Sequence, residues 1–341
     1  MLQADGAIAA KAFKRTGALR AAGIVALACG ALALPFAATA IGDPALISLA
    51  TRIVIYAIAA ASLNLILGYG GLVSFGHAAY FGVGAYAVGI LYFHFHEAAP
   101  FLGFIPGTNR LLIAVPVAVA TSAIFALVLG ALSLRTAGLQ FIMITLAFAQ
   151  MVFFLFVSLK YYGGDDGLIV RRRDVLLDFD MADDTTFYFV CLAVAAAYFF
   201  VFWRVVESRF GLVLGGIRQN ERRLAAIGIS TYRYKLVAFV IAGAGAGLAG
   251  ALMANFAKFV SPDLLHWSQS GDLMIMVILG GSATLFGPLI GAGMLIGLET
   301  VLTGWTEHWQ AVLGPLLILV ALFTRGGVVS LFTAPGGASH A

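Results

Sequence analysis

The chain has 341 residues, of which 62% are hydrophobic and only 11% charged, with a formal net charge of +4. Soluble domains carry about 25% charged residues, so a water-soluble enzyme or binding module is excluded and the length does not divide into soluble domains. The surplus of Lys and Arg does not call for nucleic acid, because helical membrane proteins concentrate these residues in their cytoplasmic loops.

Apolar windows of about 20 residues recur along most of the length, enough for a helix to cross about 30 Å of hydrocarbon. The fold class is therefore an all-α polytopic membrane protein, with about 9–10 transmembrane helices. Lys11, Lys14 and Arg15, an apolar run and Ala38-Thr39-Ala40 imitate a signal peptide. The run from Ala21 to Ile41 is nevertheless long enough to span, so residues 20–41 read as a retained first helix behind a tail at 1–19. Further spans follow at 46–67, 71–92, 111–134, 138–158, 187–206 and 233–256, then a broken pair at 272–282 and 285–298, and a last span at 310–324. Residues 20–324 form one membrane domain, and 325–341 a C-terminal tail. Cys29 and Cys191 lie in apolar spans and form no CxxC, so they read as packing residues.

The loops set the orientation. Residues 204–235 hold Arg204, Arg209, Arg218, Arg222, Arg223, Arg233 and Lys235 against Glu207 and Glu221. Residues 159–186 hold Lys160 and Arg171–Arg173 against seven aspartates. The positive-inside bias places the N-terminus and 204–235 in the cytoplasm and the loop 159–186 outside. The C-terminal tail returns to the cytoplasm only if 272–298 dips in and returns, or crosses twice as short segments. Gly280, Gly281, Gly287 and Pro288 favour that broken reading.

A second stretch points the same way. GYGGLVSFGHAAYFGVGAY, residues 68–86, carries six glycines, Ser74 and His77 inside an apolar run. FGHAAYFGVGA at 75–85 and FGPLIGAG at 286–293 place Phe-Gly and further glycines in one interrupted segment per half of the chain. Paired breaks of this kind suggest a pseudo-repeat of two halves whose irregular backbone lines a pathway. Close helix packing by small residues is the competing reading, and Gly243, Gly247 and Gly250 serve it.

Polar side chains at membrane depth are pathway candidates: Asn64, Ser74, His77, Gln140, Thr145, Gln150, Ser282 and Thr284. Each must face protein or water, and cross-helix bonding is the alternative role. Apart from Arg52, near the outer part of the second span, no fixed charge sits clearly at mid-span. Such a path suits a zwitterionic or neutral apolar solute. It also argues against a secondary transporter, which needs a carboxylate at that depth. His94, His96 and Glu97 have metal-ligand chemistry, but HFHE lacks metal-site spacing and a further partner, so an integral membrane enzyme is the weaker rival. Tyr161, Tyr162, Tyr188 and Trp203 fall near span ends as an interfacial belt does.

Residues 207–230, ESRFGLVLGGIRQNERRLAAIGIS, form a long polar insertion that reads as helical from about Val213 to Ile227. Leu214, Ile217, Leu224 and Ile227 recur near helical spacing, Arg218, Arg222 and Arg223 fill the other side, and Gly228 stops it. A surface helix of this kind is a docking element for lipid headgroups or another protein.

Several long phrases resemble the permease subunits of ATP-binding-cassette importers for branched-chain amino acids, of the LivM type. They are Leu63-Asn64-Leu65 with the 68–86 stretch, GLQFIMITLAFAQ at 138–150, YGGDDGL at 162–168, residues 208–252, and ILGGSATLFGPLIGAG at 278–293. The resemblance implies that 207–230 is the coupling helix received by an ATPase subunit, with Glu207, Arg209, Phe210, Gly211, Arg218, Asn220, Glu221, Arg222 and Gly228 at or beside the family's pattern positions. Arg209 stands where many relatives have proline and Leu212 where they often have arginine. Asp165 and Asp166 fall where a periplasmic binding protein docks. The implied partners are a second, LivH-like permease subunit, two ABC ATPase subunits and the binding protein, all at a bacterial inner membrane. No G-x-x-x-x-G-K-[ST] occurs, so Mg-ATP belongs to the partner subunits and no cofactor to this chain. Similar permeases carry urea, short amides or aromatic acids, and the solute stays open among these.

Overall fold

A computed structural model describes residues 30–36, 38, 39, 42–98, 100, 106–176, 181–305, 308, 311–315, 318, 327 and 328. Most of the expected first span 20–41 and last span 310–324, with nearly all of both tails, lies outside the described residues. Residues 1–50 form a unit of their own, helical at 30–36, 38 and 39 and again from Ala45. The remainder is one larger unit.

Nine helices are used below: α1 Ala45–Asn64, α2 His77–His96, α3 Leu111–Ser133, α4 Leu139–Ser158, α5 Asp184–Val206, α6 Arg209–Ala226, α7 Thr231–Ala257, α8 Trp267–Gly280 and α9 Gly287–Thr303. A π-helical turn, Leu65–Tyr69, prolongs α1. Six of these helices (α1 to α5 and α7) are long and apolar enough to cross a membrane. They fall into two groups. In α1, α2 and α7 the spanning windows are 72%, 78% and 61% buried; in α3, α4 and α5 only 28%, 28% and 17%. The inner three are therefore apolar on all sides and covered by protein, whereas the outer three bury one stripe each. On α3 that stripe is Ala114, Ala118, Ser122, Ala126 and Leu129, near the helical repeat. The opposite faces show Ile124, Val128, Phe154 and Phe200, as lipid contact requires.

Small residues allow the inner helices to meet. Gly84 of α2 lies against the backbone of Gly247 in α7, and the other side of Gly247 meets Ser122 and Ala118 of α3. A side chain at either glycine would strike backbone or Ser122. Ser122 Oγ also donates to the Tyr80 carbonyl at 2.9 Å, tying α3 to α2 at the same crossing.

The expected single helix over 71–92 is displaced. The chain leaves the π turn at Gly70, passes Gly71 with φ +68°, and resumes as a helix only at His77. The expected broken pair is an antiparallel hairpin, with Gly280 against the backbone of Gly287 and Gly291 against that of Met276. Its helices start and end several residues beyond the expected limits, at Trp267 and Thr303.

The two ends of the bundle differ. At one end lie α6, the 65–76 turn and the 281–286 turn, together with Val328, whose N–H donates to the Leu279 carbonyl at 2.8 Å. At the opposite end the loop before α5 joins the segment after α7 through a two-residue antiparallel pair, Leu168 with Val260 and Ile169 with Phe259.

Candidate functional site

The two breaks, far apart in sequence, meet through Asn64. This fully buried side chain closes α1, donates from Nδ2 to the Thr284 carbonyl at 2.8 Å, and accepts the Ala283 N–H at Oδ1 at 3.0 Å. Ala283 holds φ +60°, a left-handed conformation that costs a non-glycine residue about 1–2 kcal/mol. Thr284 Oγ1 completes the turn, donating to the Gly281 carbonyl at 2.7 Å and accepting the Gly287 N–H at 3.0 Å at the start of α9. One asparagine thus satisfies two backbone groups of the second turn that no helix satisfies.

The first break is satisfied from two other elements and from within. Ser270 Oγ of α8 accepts the Ala78 N–H at 2.8 Å, and Thr145 Oγ1 of α4 accepts the Phe75 N–H at 3.3 Å. Ser74 Oγ accepts the Gly76 N–H at 3.2 Å. His77 is fully buried, with Nε2 2.7 Å from Ser62 Oγ. Ser62 itself donates to the Ala59 carbonyl, so the His77 Nε2 position carries the proton and donates. Of the eight pathway candidates, Asn64, Ser74, His77, Thr145 and Thr284 therefore surround the two breaks. Ser282 is exposed on the second turn, while Gln140 and Gln150 stand on α4 away from them, Gln140 exposed and Gln150 half-buried.

α6 reaches the same place from the surface. Arg218 Nη1 donates to the Gly68 carbonyl, one of the carbonyls that the end of α1 leaves without a helical partner, and its stem packs over Gly71. Gly71 is required twice, for its positive φ and for the space that Arg218 fills. A continuous polar line thus runs from Arg218 through the π turn to Asn64 and on to Thr284.

The expected uninterrupted face of α6 is not found. Leu214 and Ile217 are buried, but Asn220 leaves helical geometry at φ −159°, ψ 96°, and Ile227 is 72% exposed. Asn220 Oδ1 accepts the Arg223 N–H at 3.0 Å and so caps a second, short helical piece aimed differently from the first. That piece ends at Gly228 (φ +87°), where the Ile229 N–H reaches the Leu224 carbonyl and the Gly228 N–H that of Ala225. Glu221 pairs with Lys235 Nζ at 2.6 Å, which holds its carboxyl below the usual range against the effect of burial, and Phe210 stacks on Tyr234 at 5.7 Å. Gly211 is buried against Val206. Glu207, Arg209, Leu212, Arg222, Arg223 and Ile227 are exposed.

At the opposite end Asp165 and Asp166 are exposed on a short turn next to Tyr161. Behind them His94 Nε2 lies 2.9 Å from Tyr162 Oη, and among the described residues no group of three or more His, Cys, Asp or Glu comes together to hold a metal. Tyr188, expected at the interface, is instead buried at 1% exposure. The loop before α5 is pinned by a pair that sequence reasoning missed. Asn255 of α7 donates to Asp174 Oδ2 at 3.1 Å and accepts the Asp174 N–H at 2.7 Å.

Arg52 has partners that sequence reasoning missed: its Nη2 meets Glu299 Oε1 and Oε2 of α9 at 3.2 and 3.3 Å, and Asp272 of α8 lies in Coulombic reach of both. The expected limits 272–282 and 285–298 put Asp272 at a boundary and Glu299 one residue outside. The helices run past both, from Trp267 to Thr303, with Trp305, like Trp267 interfacial by chemistry, two residues beyond. Those two tryptophans were the available signal.

Apolar helices arranged as an inner and an outer layer, two broken segments joined by a buried asparagine and a basic surface helix define a polytopic membrane transport protein. The chain belongs to the family described as branched-chain amino acid transport system / permease component, whose profile matches residues 45–321. It is 27% identical to the high-affinity branched-chain amino acid transport system permease protein LivM of Escherichia coli K12, over 90% of this chain and 74% of that one. It is 25% identical to a probable branched-chain amino acid transport permease protein LivM of Methanocaldococcus jannaschii, over 83% and 90%. A shorter match, 29% identity over 36% of this chain, links it to the E. coli permease protein LivH. No solved structure matches the chain.

Proposed function

We propose that this chain is one of two permease subunits of an ATP-binding-cassette importer that carries branched-chain amino acids across a bacterial inner membrane, its α6 end in the cytoplasm. The second permease is a LivH-like relative, two ABC ATPase subunits bind Mg-ATP, and a periplasmic binding protein delivers the solute to the end bearing Asp165 and Asp166. The observation that carries this reading is the line from Arg218 through Gly68 to Asn64 and Thr284. A movement imposed on α6 reaches both breaks without passing through flexible chain.

On this reading α6 divides its residues between two tasks. Arg218, Leu214, Ile217, Glu221 and Phe210 hold the helix to the membrane domain. Arg209, Leu212, Arg222, Arg223 and Ile227 face outward, a mixed basic and apolar surface suited to a cleft on the ATPase. Asn220 sets the angle between the two pieces.

Pull-down of the tagged chain from its native membranes in mild detergent, followed by mass spectrometry, tests the reading. The expected result is co-recovery of a P-loop ATPase and a second permease, with the ATPase lost in Arg222→Glu/Arg223→Glu. Recovery of the chain alone, with solute uptake that persists without ATP, overturns it.

A further inference from the structure

Arg52, Asp272 and Glu299 lie near one another on three helices of the membrane domain. From the interfacial markers Trp267 and Trp305, helical rise puts Asp272 and Glu299 about 7–9 Å inside the membrane-spanning layer. Arg52 reaches Glu299 from the eighth residue of α1. None of the three is buried: the Arg52 and Glu299 side chains are 35% and 26% exposed, and Asp272 is exposed outright. The exposed large side chains of α3 and α4 are apolar by contrast, among them Ile124, Leu127 and Val128 on α3 and Phe154 and Leu155 on α4. Charges at such a level face a water-filled cavity or the interior of an assembly, and not lipid. The face formed by α1, α8 and α9 is therefore the side of this subunit turned away from lipid, toward water or a partner subunit.

Its chemistry is more specific than exclusion from lipid. Arg52 is held by Glu299 through a single nitrogen, Nη2, and lies 5.8 Å from the centre of the Tyr56 ring. Tyr56 is fixed in turn by Gln269, one turn before Asp272, through its hydroxyl at 3.4 Å. The face offers one guanidinium fork, a carboxylate one helix away that is not paired to it, and an aromatic wall between the levels. A guanidinium fork matches a carboxylate, and a carboxylate matches an ammonium. An α-amino acid zwitterion presents both groups on one carbon.

We propose that Arg52 and Asp272 form a transit subsite for zwitterionic amino acids at the mouth of the pathway opposite α6. Arg52 meets the α-carboxylate, Asp272 meets the α-ammonium, and Glu299 is the residue that positions Arg52. The proposal rests on the importer reading above and adds to it a recognition point inside the membrane domain. Apolar side chains of the solute need no charged partner and pass along the remaining wall.

Two measurements on the complete transporter, with its ATPase and binding protein, test this. The first is ATP-dependent leucine uptake into proteoliposomes. Arg52→Gln and Asp272→Asn are each expected to lower it about 10-fold, the loss that goes with one charge-assisted hydrogen bond. Arg52→Glu/Glu299→Arg, which rebuilds the ion pair with its polarity reversed, is expected to stay low. Uptake restored by that exchange overturns the proposal, since the pair would then be only a clamp between α1 and α9. The second is labelling of Asp272→Cys by a charged, membrane-impermeant maleimide in the assembled complex. Labelling slowed by leucine-loaded binding protein is expected, while a thiol that never labels in any nucleotide state overturns the subsite. Wild-type transporter that takes up no amino acid with ATP overturns the importer reading itself, so the two failures are distinguishable.

Discussion

Asp174 shows how much one buried side chain can govern. It is fully covered, and among the described residues Oδ1 has no hydrogen-bond partner and only the Asn255 amide reaches Oδ2. Burial pushes its carboxyl up to about 6 from 3.8, against a smaller opposing pull from Asn255. The folded loop therefore holds a proton that the opened loop releases. Below about pH 4 both forms are protonated, and the contribution of the pair is complete. Between about 4 and 6 only the opened form ionises, so stability falls with rising pH by up to about 1.4 kcal/mol per unit and then levels off above 6. The expected outcome is that opening of residues 168–176, read by amide hydrogen exchange corrected for intrinsic rates, becomes easier from pH 4 to 6 by about 2–3 kcal/mol in all. Asp174→Asn keeps the acceptor for Asn255 and removes the titration, so its profile should be flat and its loop the more protected at pH 7. A wild-type profile that is flat over this range would refute the account.

At the scale of elements, α6 and the two breaks are bonded into one joint, and each residue in it makes a distinguishable contact. Arg218→Ala leaves the Gly68 carbonyl without its donor and a gap over Gly71, a loss of about 1–3 kcal/mol in the docking of α6. The outward residues are untouched, so the ATPase should still be co-purified while leucine uptake per ATP hydrolysed falls several-fold. Asn64→Asp should do the same from the other side of the joint. It keeps the acceptor for Ala283 N–H but loses the donor to Thr284, and it places a charge among apolar neighbours. If both variants transport with wild-type coupling, the line from Arg218 to Thr284 has no mechanical role.

This joint also marks the limit of what the amino-acid pattern reveals. The six long helices were legible because apolar length alone specifies them, and the hairpin at 267–303 was legible from Gly280, Gly281, Gly287 and Pro288. Asn64 and Thr284 were each legible as polar residues at depth. Their pairing was not, since the bond spans 220 positions and no local period encodes it. The kink at Asn220 escaped because Leu214, Ile217, Leu224 and Ile227 keep a helical rhythm across it, and only the capping bond to Arg223 reveals the change of direction. Asp272 and Glu299 escaped for a simpler reason, that the segment limits fell at or inside them.

The whole molecule adds a constraint on sidedness that no single loop provides. The basic segment 204–235, the turns at 65–76 and 281–286, and Val328 all lie at one end, and the acidic loop 159–183 lies at the other. Positive-inside bias assigns the basic end to the cytoplasm, so Val328 and α6 should share that side. Single cysteines at Asp166, Ile227 and Val328, introduced after Cys29 and Cys191 are replaced by alanine, test this in right-side-out membrane vesicles. Asp166→Cys is expected to react with an impermeant maleimide in sealed vesicles, while Ile227→Cys and Val328→Cys react only after lysis. Reaction of Val328→Cys but not Ile227→Cys in sealed vesicles would mean that the two residues are on opposite faces, which the Leu279–Val328 hydrogen bond forbids. Reaction of both, with Asp166→Cys silent, would keep the fold and invert it, and α6 would then be out of reach of any ATP-hydrolysing partner.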